Sequence, residues 1–117
     1  MENTIFYLAS CDTCRKIIKQ LPNQDKLTFQ DIRQNPITEN QLDQLKEMAG
    51  SYNALFSRKA QLYKSRDLKN KDLSEEDIRA LLLEHYTFLS RPVIVVNGQI
   101  YVGNSQKVVA EAIAALQ

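Results

Sequence analysis

The sequence predicts an α/β fold in which a strand, helix, strand unit is followed by a helical insertion and then by a β-hairpin and a last helix. Three observations carry that reading. A short β-branched and aromatic run leads directly into the turn Cys11-Asp12-Thr13-Cys14 and a helical pattern. Asn97-Gly98 stands between two apolar runs, the strongest short-range hairpin signal, because Asn-Gly supplies both positive-φ positions of a type I′ turn. Between these ends, over about 38–88, helix caps and helical spacing replace alternation.

Thr4 to Leu8 reads as a buried strand. A helix follows, with Ile17, Ile18 and Leu21 on one side and Arg15, Lys16 and Lys19 on the other, until Pro22-Asn23 stops it. Leu27-Thr28-Phe29 supplies the second strand, and Asn35-Pro36 breaks the chain. Thr38 with Gln41 forms a capping-box signature for a helix carrying Leu42, Leu45, Met48 and Ala49, which Gly50 ends. From Tyr52 to Asn70 basic residues interrupt the apolar ones, so short helical turns and loop are expected. Ser74 and the acids Glu75, Glu76 and Asp77 cap a further helix, whose spacing runs through Ile78, Leu81 and Leu82 to His85-Tyr86. After the hairpin of Pro92–Val96 and Gln99–Val102, Gly103-Asn104-Ser105 opens a last helix with Val108, Val109, Ala112, Ile113 and Leu116 on its apolar face. This is the element order of a thioredoxin-like domain with extra helices between its halves.

A chain of 117 residues, 44% hydrophobic, is read as one domain, since smaller pieces would bury too little surface. Its formal net charge of +1 gives no overall field toward nucleic acid or an anionic membrane, so neither direct DNA binding nor membrane association is expected. The opening residues lack the charged head and long apolar stretch of a signal peptide, and no apolar run approaches the roughly 20 residues of a membrane helix. A cytoplasmic protein is therefore expected. In that reducing compartment two close cysteines point to catalysis or metal binding rather than to a structural staple.

A thiol is nucleophilic as the thiolate, and a helix N-terminus favours that anion through its unpaired N–H groups. Cys11 is placed for this stabilisation, and Cys14 falls about one helical turn on, within reach of a sulfur adduct on Cys11. Half of a zinc site is an alternative, but the one other soft donor, His85, lies far along a helix, and no metal is expected. Inert buried thiols are another. His85 is read as structural, and the stretch from Lys64 to Lys71 as a solvated loop.

The order Cys11-Asp12-Thr13-Cys14-Arg15-Lys16 at a helix start, Phe56-Ser57-Arg58-Lys59 in the middle, then Leu89-Ser90-Arg91-Pro92-Val93-Ile94-Val95 and Val102-Gly103 closely resembles the arsenate reductase (ArsC) family, whose superfamily includes the Spx transcriptional regulators. The resemblance runs from Thr4 to Leu116. It implies Cys11 as the nucleophile, Arg58 and Arg91 as ligands of a small oxyanion substrate, and Pro92 as a structural cis-proline. An arginine fork suits a tetrahedral oxyanion and also favours a nearby thiolate. The chain departs from the best-known arsenate reductases by having Gly103 where they place another arginine, and by adding Cys14, a feature of Spx-like members.

The function implied is a thiol oxidoreductase that reduces an oxyanion such as arsenate through the Cys11 thiolate, with Cys14 or an external thiol as resolver. No bound cofactor is implied; glutathione with glutaredoxin, or thioredoxin, would supply electrons. A monomer is expected. Two rival readings stand beside it: a Spx-like redox-sensing regulator that binds RNA polymerase, and an orphan glutathione-dependent thiol reductase.

Overall fold

The computed structural model describes residues 1–117. Four short strands form one sheet in the order β2-β1-β3-β4, with β1 at Thr4–Tyr7, β2 at Thr28–Asp31, β3 at Val93–Val96 and β4 at Gln99–Val102. β1 pairs in parallel with β2 and antiparallel with β3, and β3 closes antiparallel on β4. The two central strands are the most apolar: Ile5, Phe6 and all of Val93 to Val96 are buried. Such unbroken apolar runs are what a strand covered on both faces requires. At the hairpin tip Asn97 and Gly98 both have positive φ, 51° and 78°, as the Asn-Gly turn demands.

α1 (Asp12–Gln20) joins β1 to β2, and the final helix, spanning Gln106–Leu116, follows β4. Both lay apolar stripes on the sheet: Ile17 and Leu21 from the first, and Val109, Ala112 and Leu116 from the last, share a core with Ile5, Leu27, Ile94 and Val96. This sheet and its two helices belong to one compact unit, Met1–Pro36 with Arg91–Gln117. With the segment inserted between β2 and β3, the topology is the thioredoxin-like α/β arrangement that the sequence predicts.

The inserted segment, Ile37–Ser90, is a second compact unit. α2 (Glu39–Ala49) begins at a complete Thr38/Gln41 capping box and ends at Gly50, whose φ of 98° favours a residue without Cβ. Between Tyr52 and Asn70 the chain forms a 3-10 turn at Asn53–Leu55, the short α3 (Gln61–Ser65) and a second 3-10 turn at Leu68–Asn70. α4 (Glu75–Glu84) is capped by Ser74 and Asp77. The helical spacing read through His85-Tyr86 overreaches here. His85 is extended at φ −148° and ψ 134°, and its ring accepts from the Thr87 N–H, opening a separate 3-10 turn at Tyr86–Phe88. Local side-chain bonding to the backbone diverts the chain from the helix at that residue. With the last helix numbered α5 (Gln106–Leu116), the elements are complete.

A polar network holds the second unit together. Arg79 of α4 bonds both carboxylate oxygens of Asp43 on α2, at 2.9 and 3.1 Å, and reaches Glu39 at 3.1 Å, while the Tyr52 hydroxyl donates to Asp43 at 2.6 Å. Glu75 accepts from the Tyr52 and Asn53 N–H groups at 2.8 and 3.0 Å. The hydrogen bonds from Arg79 and Tyr52 pull the Asp43 carboxyl down from its ordinary 3.8 to about 2. Folding thus favours the ionised form, and the resulting stability is fully present well above 3.8 and is lost as the pH falls toward about 2. Asp43→Asn is accordingly expected to lower the urea midpoint at neutral pH, and the gap to wild type should shrink as unfolding is repeated at pH values from 5 down toward 2. A gap that does not change with pH would show that the carboxylate charge contributes nothing.

Candidate active site

The site grows from the place where β1 runs into α1. The Cys11 N–H donates to the Leu8 carbonyl at 3.0 Å, closing a tight turn that leaves Cys11 as the N-cap of the helix, in extended geometry at φ −90° and ψ 117°. Its carbonyl accepts the first bond of the helix, from the Arg15 N–H at 3.1 Å. Arg15 itself is turned back on the turn, donating to the Ala9 carbonyl at 2.7 Å and pairing with Asp12, so it clasps the loop.

This placement gives the two thiols opposite environments. Cys11 is partly exposed and Cys14 is fully buried; both are free thiols. Burial acts to raise the pKa of Cys11. It is outweighed by the Cys14 N–H and thiol, the Thr13 N–H and the charge of Arg91, so the net direction is down from the ordinary 9.0. These amides close no N-cap hydrogen bond on the sulfur, yet they face it as the positive end of the helix. Cys14 goes the other way, to about 11: burial dominates, and the neighbouring Cys11 adds to it through its charge and its hydrogen bond, while the Leu8 backbone and Arg91 oppose. The pair therefore divides into an accessible thiol that ionises readily and a protected one that holds its proton.

Arg91 reaches this turn through strand register. Phe6 pairs with Val93 at the end of the β1–β3 ladder, so the residues just before Val93 lie at the end of β1 that leads to Leu8 and Cys11. The Arg91-Pro92 peptide bond is cis, Pro92 is buried, and its carbonyl accepts from the Gly103 N–H at 2.9 Å. Arg91 is half-buried and acts on both cysteines through its charge.

Arg58 belongs to the inserted unit. It is exposed, donates to Asn53 Oδ1 at 2.7 Å and lies over the Phe56 ring at 5.4 Å. Gly103 has φ +91°, a conformation in which any side chain would be strained. An arginine at that place would need a different backbone. His85 bonds Thr87 Oγ1 at 2.7 Å and serves a local turn. No group of three or more His, Cys, Asp or Glu residues is arranged to hold a metal. No helix is long and apolar enough to cross a membrane.

Sequence spacing singles out Cys11 and Cys14, the family resemblance adds Arg91, and the first unit brings these three together, with the Arg91 charge acting on both thiols. It gives no reason to choose Thr13, whose N–H faces the Cys11 sulfur, because a backbone donor leaves no trace in residue identity.

Comparison with known proteins follows the same lines. The sequence profile of the ArsC family matches residues 6–112. Among solved structures, an arsenate reductase from Vibrio cholerae is 26% identical, covers 96% of this chain and 98% of its own, and superposes with a TM-score of 0.78. A protein from Staphylococcus aureus is 27% identical over 93% of this chain and 96% of its own, with a TM-score of 0.73. An arsenate reductase related protein from Brucella melitensis shares the fold at 23% identity, covering 92% of this chain and 90% of its own, with a TM-score of 0.70. A search of curated proteins finds no match.

If the Arg91 charge helps hold Cys11 as thiolate, Arg91→Ala should move the pH profile of Cys11 alkylation to higher pH. Arg91→Lys should restore most of that profile, since it keeps the charge and loses only the planar fork. Iodoacetamide labelling followed by mass spectrometry, with circular dichroism to confirm folding, makes the check. Coincident profiles for all three proteins would remove Arg91 from the site.

Proposed function

Because the chain belongs to the ArsC family, we propose that it is a thiol oxidoreductase whose Cys11 thiolate attacks an oxidised oxyanion, with arsenate as the leading candidate. The observation that carries this reading is the division of the two cysteines, with Cys11 accessible and lowered and Cys14 buried and raised. A nucleophile must be ionised and open, whereas a resolving thiol must wait.

The chemistry follows from those two environments. The Cys11 sulfur bonds to the central atom of the oxyanion and displaces a hydroxyl group, which takes a proton from solvent and leaves as water. The adduct no longer carries the thiolate charge that helps hold the Cys14 proton, so Cys14 gives up that proton more readily once Cys11 has reacted. Cys14 or an external thiol then attacks the Cys11 sulfur. A disulfide forms, the bond to the central atom breaks, and its electron pair stays with that atom, which is reduced by two electrons. Arg91 is suited to hold the oxyanion beside Cys11, by a bidentate pairing available to a guanidinium and not to an ammonium. Arg58 is assigned the same role on its place in the family pattern. Return to the dithiol requires glutathione with glutaredoxin, or thioredoxin.

Purified protein supplied with arsenate should release arsenite when given glutathione plus glutaredoxin, or thioredoxin plus its reductase. Cys11→Ser should abolish release, a loss of at least about a hundredfold for removal of a nucleophile. Cys14→Ser should retain activity only with a small external thiol. Undiminished arsenite production by Cys11→Ser would overturn the assignment, and no arsenite under either reductant would exclude arsenate as the acceptor.

A further inference from the structure

The two edges of the sheet are finished differently. Along β2 the Asp31 carbonyl accepts from the Asn35 N–H at 2.8 Å, and the Asp31 carboxylate accepts from the Arg33 N–H at 3.2 Å. A turn and a charge at a strand end discourage pairing with another chain. β4 has neither: Gln99-Ile100-Tyr101-Val102 is uncharged and holds no proline. Its outward groups follow from the ladder. The Gly103 N–H donates to the Pro92 carbonyl at 2.9 Å, so by antiparallel alternation Tyr101 and Gln99 turn their backbone groups to β3, and Ile100 and Val102 turn theirs away. No turn or side chain of the chain bonds those outward groups, and both residues are partly exposed.

We propose that β4 pairs with β4 of a second copy of this chain, antiparallel across a two-fold axis at Tyr101, joining the two sheets into one. The pattern of the edge selects that occupant. A closed two-fold contact pairs identical strands antiparallel. With Tyr101 on the axis, Ile100 of each copy stands opposite Val102 of the other, and every outward N–H and carbonyl of both residues is taken. The two Tyr101 residues then form a pair without backbone bonds between them, the kind whose side chains lie closest, and their rings meet on the face of the sheet that α5 covers. α5 extends the contact. It packs on β3 and β4, and its Ala110 and Ile113 face α1. At about 100° per residue, Val108 and Ala115 fall on the other flank, beyond β4, and both are partly exposed. The charged side chains of α5 are Lys107 and Glu111, one of each sign, so two copies meet there without net repulsion.

This contact is separate from the thiol chemistry. Val102 marks the end of β4 nearest the cysteine turn, since it pairs with Val93, and Gln99 marks the far end. Antiparallel pairing therefore places the two cysteine turns at opposite ends of the joined sheet, and no disulfide links the copies. A strand of four residues with one helix flank is a small interface, so the copies exchange at micromolar rather than nanomolar concentration.

The test is sedimentation equilibrium of the full chain under reducing conditions, from about 10 to about 500 µM, the range in which a small interface becomes populated. The weight-average mass should climb from one chain toward two. Ile100→Pro removes an outward donor without touching a ladder bond to β3, and should weaken pairing about tenfold or more. Val108→Lys sets like charges against each other on the α5 flank and should weaken it too, most strongly at low salt. Cys11→Ser, and Phe29→Lys at the exposed aromatic of the opposite edge, should leave it within about twofold, as sites remote from the contact do. In wild type the Val102 amide should exchange with deuterium about tenfold more slowly at the upper concentration than at the lower. Circular dichroism confirms each fold; should Ile100→Pro unfold, Val108→Lys and the Val102 exchange decide. A single-chain mass throughout would overturn the proposal and leave the edge to an extended segment of another protein. So would a dimer that Cys11→Ser or Phe29→Lys abolishes while the β4 and α5 variants keep it, or a Val102 exchange rate indifferent to concentration.

Discussion

Negative charge on one sulfur at the first turn of α1 is the interaction around which the site is arranged. A thiolate at the N-cap gains from the exposed amides of Thr13 and Cys14 only if the helix starts at that residue and nowhere else. The Leu8 turn sets that start, and the core under Ile17 and Leu21 fixes the helix on the sheet. The same helix start buries Cys14. One backbone arrangement thus lowers one thiol and raises the other, and that separation gives a Cys-x-x-Cys pair its direction.

The register of the sheet supplies the remaining charge. Val93 and Phe6 pair at the end of the central ladder, which delivers Arg91 to the cysteine turn from the far end of the sequence. A slip of a single residue in this ladder would turn Val93 to Val96 over and carry Arg91 away from the site. The buried run of β3 makes such a slip costly, because all four of its side chains are fitted into the interior. The stability of the central strands and the electrostatics of Cys11 are therefore set by the same pairing.

Much of this was legible in the residues, and the reasons differ from element to element. Asn97-Gly98 and the Thr38/Gln41 and Ser74 caps are local chemistry, so the hairpin and the starts of α2 and α4 could be read directly. The end of α4 could not. His85-Tyr86 fits helical spacing, but the His85 ring bonds its own downstream backbone, a competition that periodicity does not register. The Asp43–Arg79–Tyr52 network joins residues distant in sequence and follows from packing alone. At the site, side-chain identities marked Cys11 and Cys14 and the family resemblance marked Arg91, while the contributions of the Thr13 and Leu8 backbones became visible only with the turn in place. The ArsC resemblance supplied Arg58, which no local pattern distinguishes from its basic neighbours.

The central claim is that one helix start separates the two thiols in acidity. It is tested most directly by following the Cβ carbons of Cys11 and Cys14 by NMR through a pH titration of the reduced chain. The account predicts two separate transitions, with Cys11 ionising below the ordinary 9.0 and Cys14 near 11. Coincident transitions at the ordinary value, or Cys14 ionising first, would contradict it.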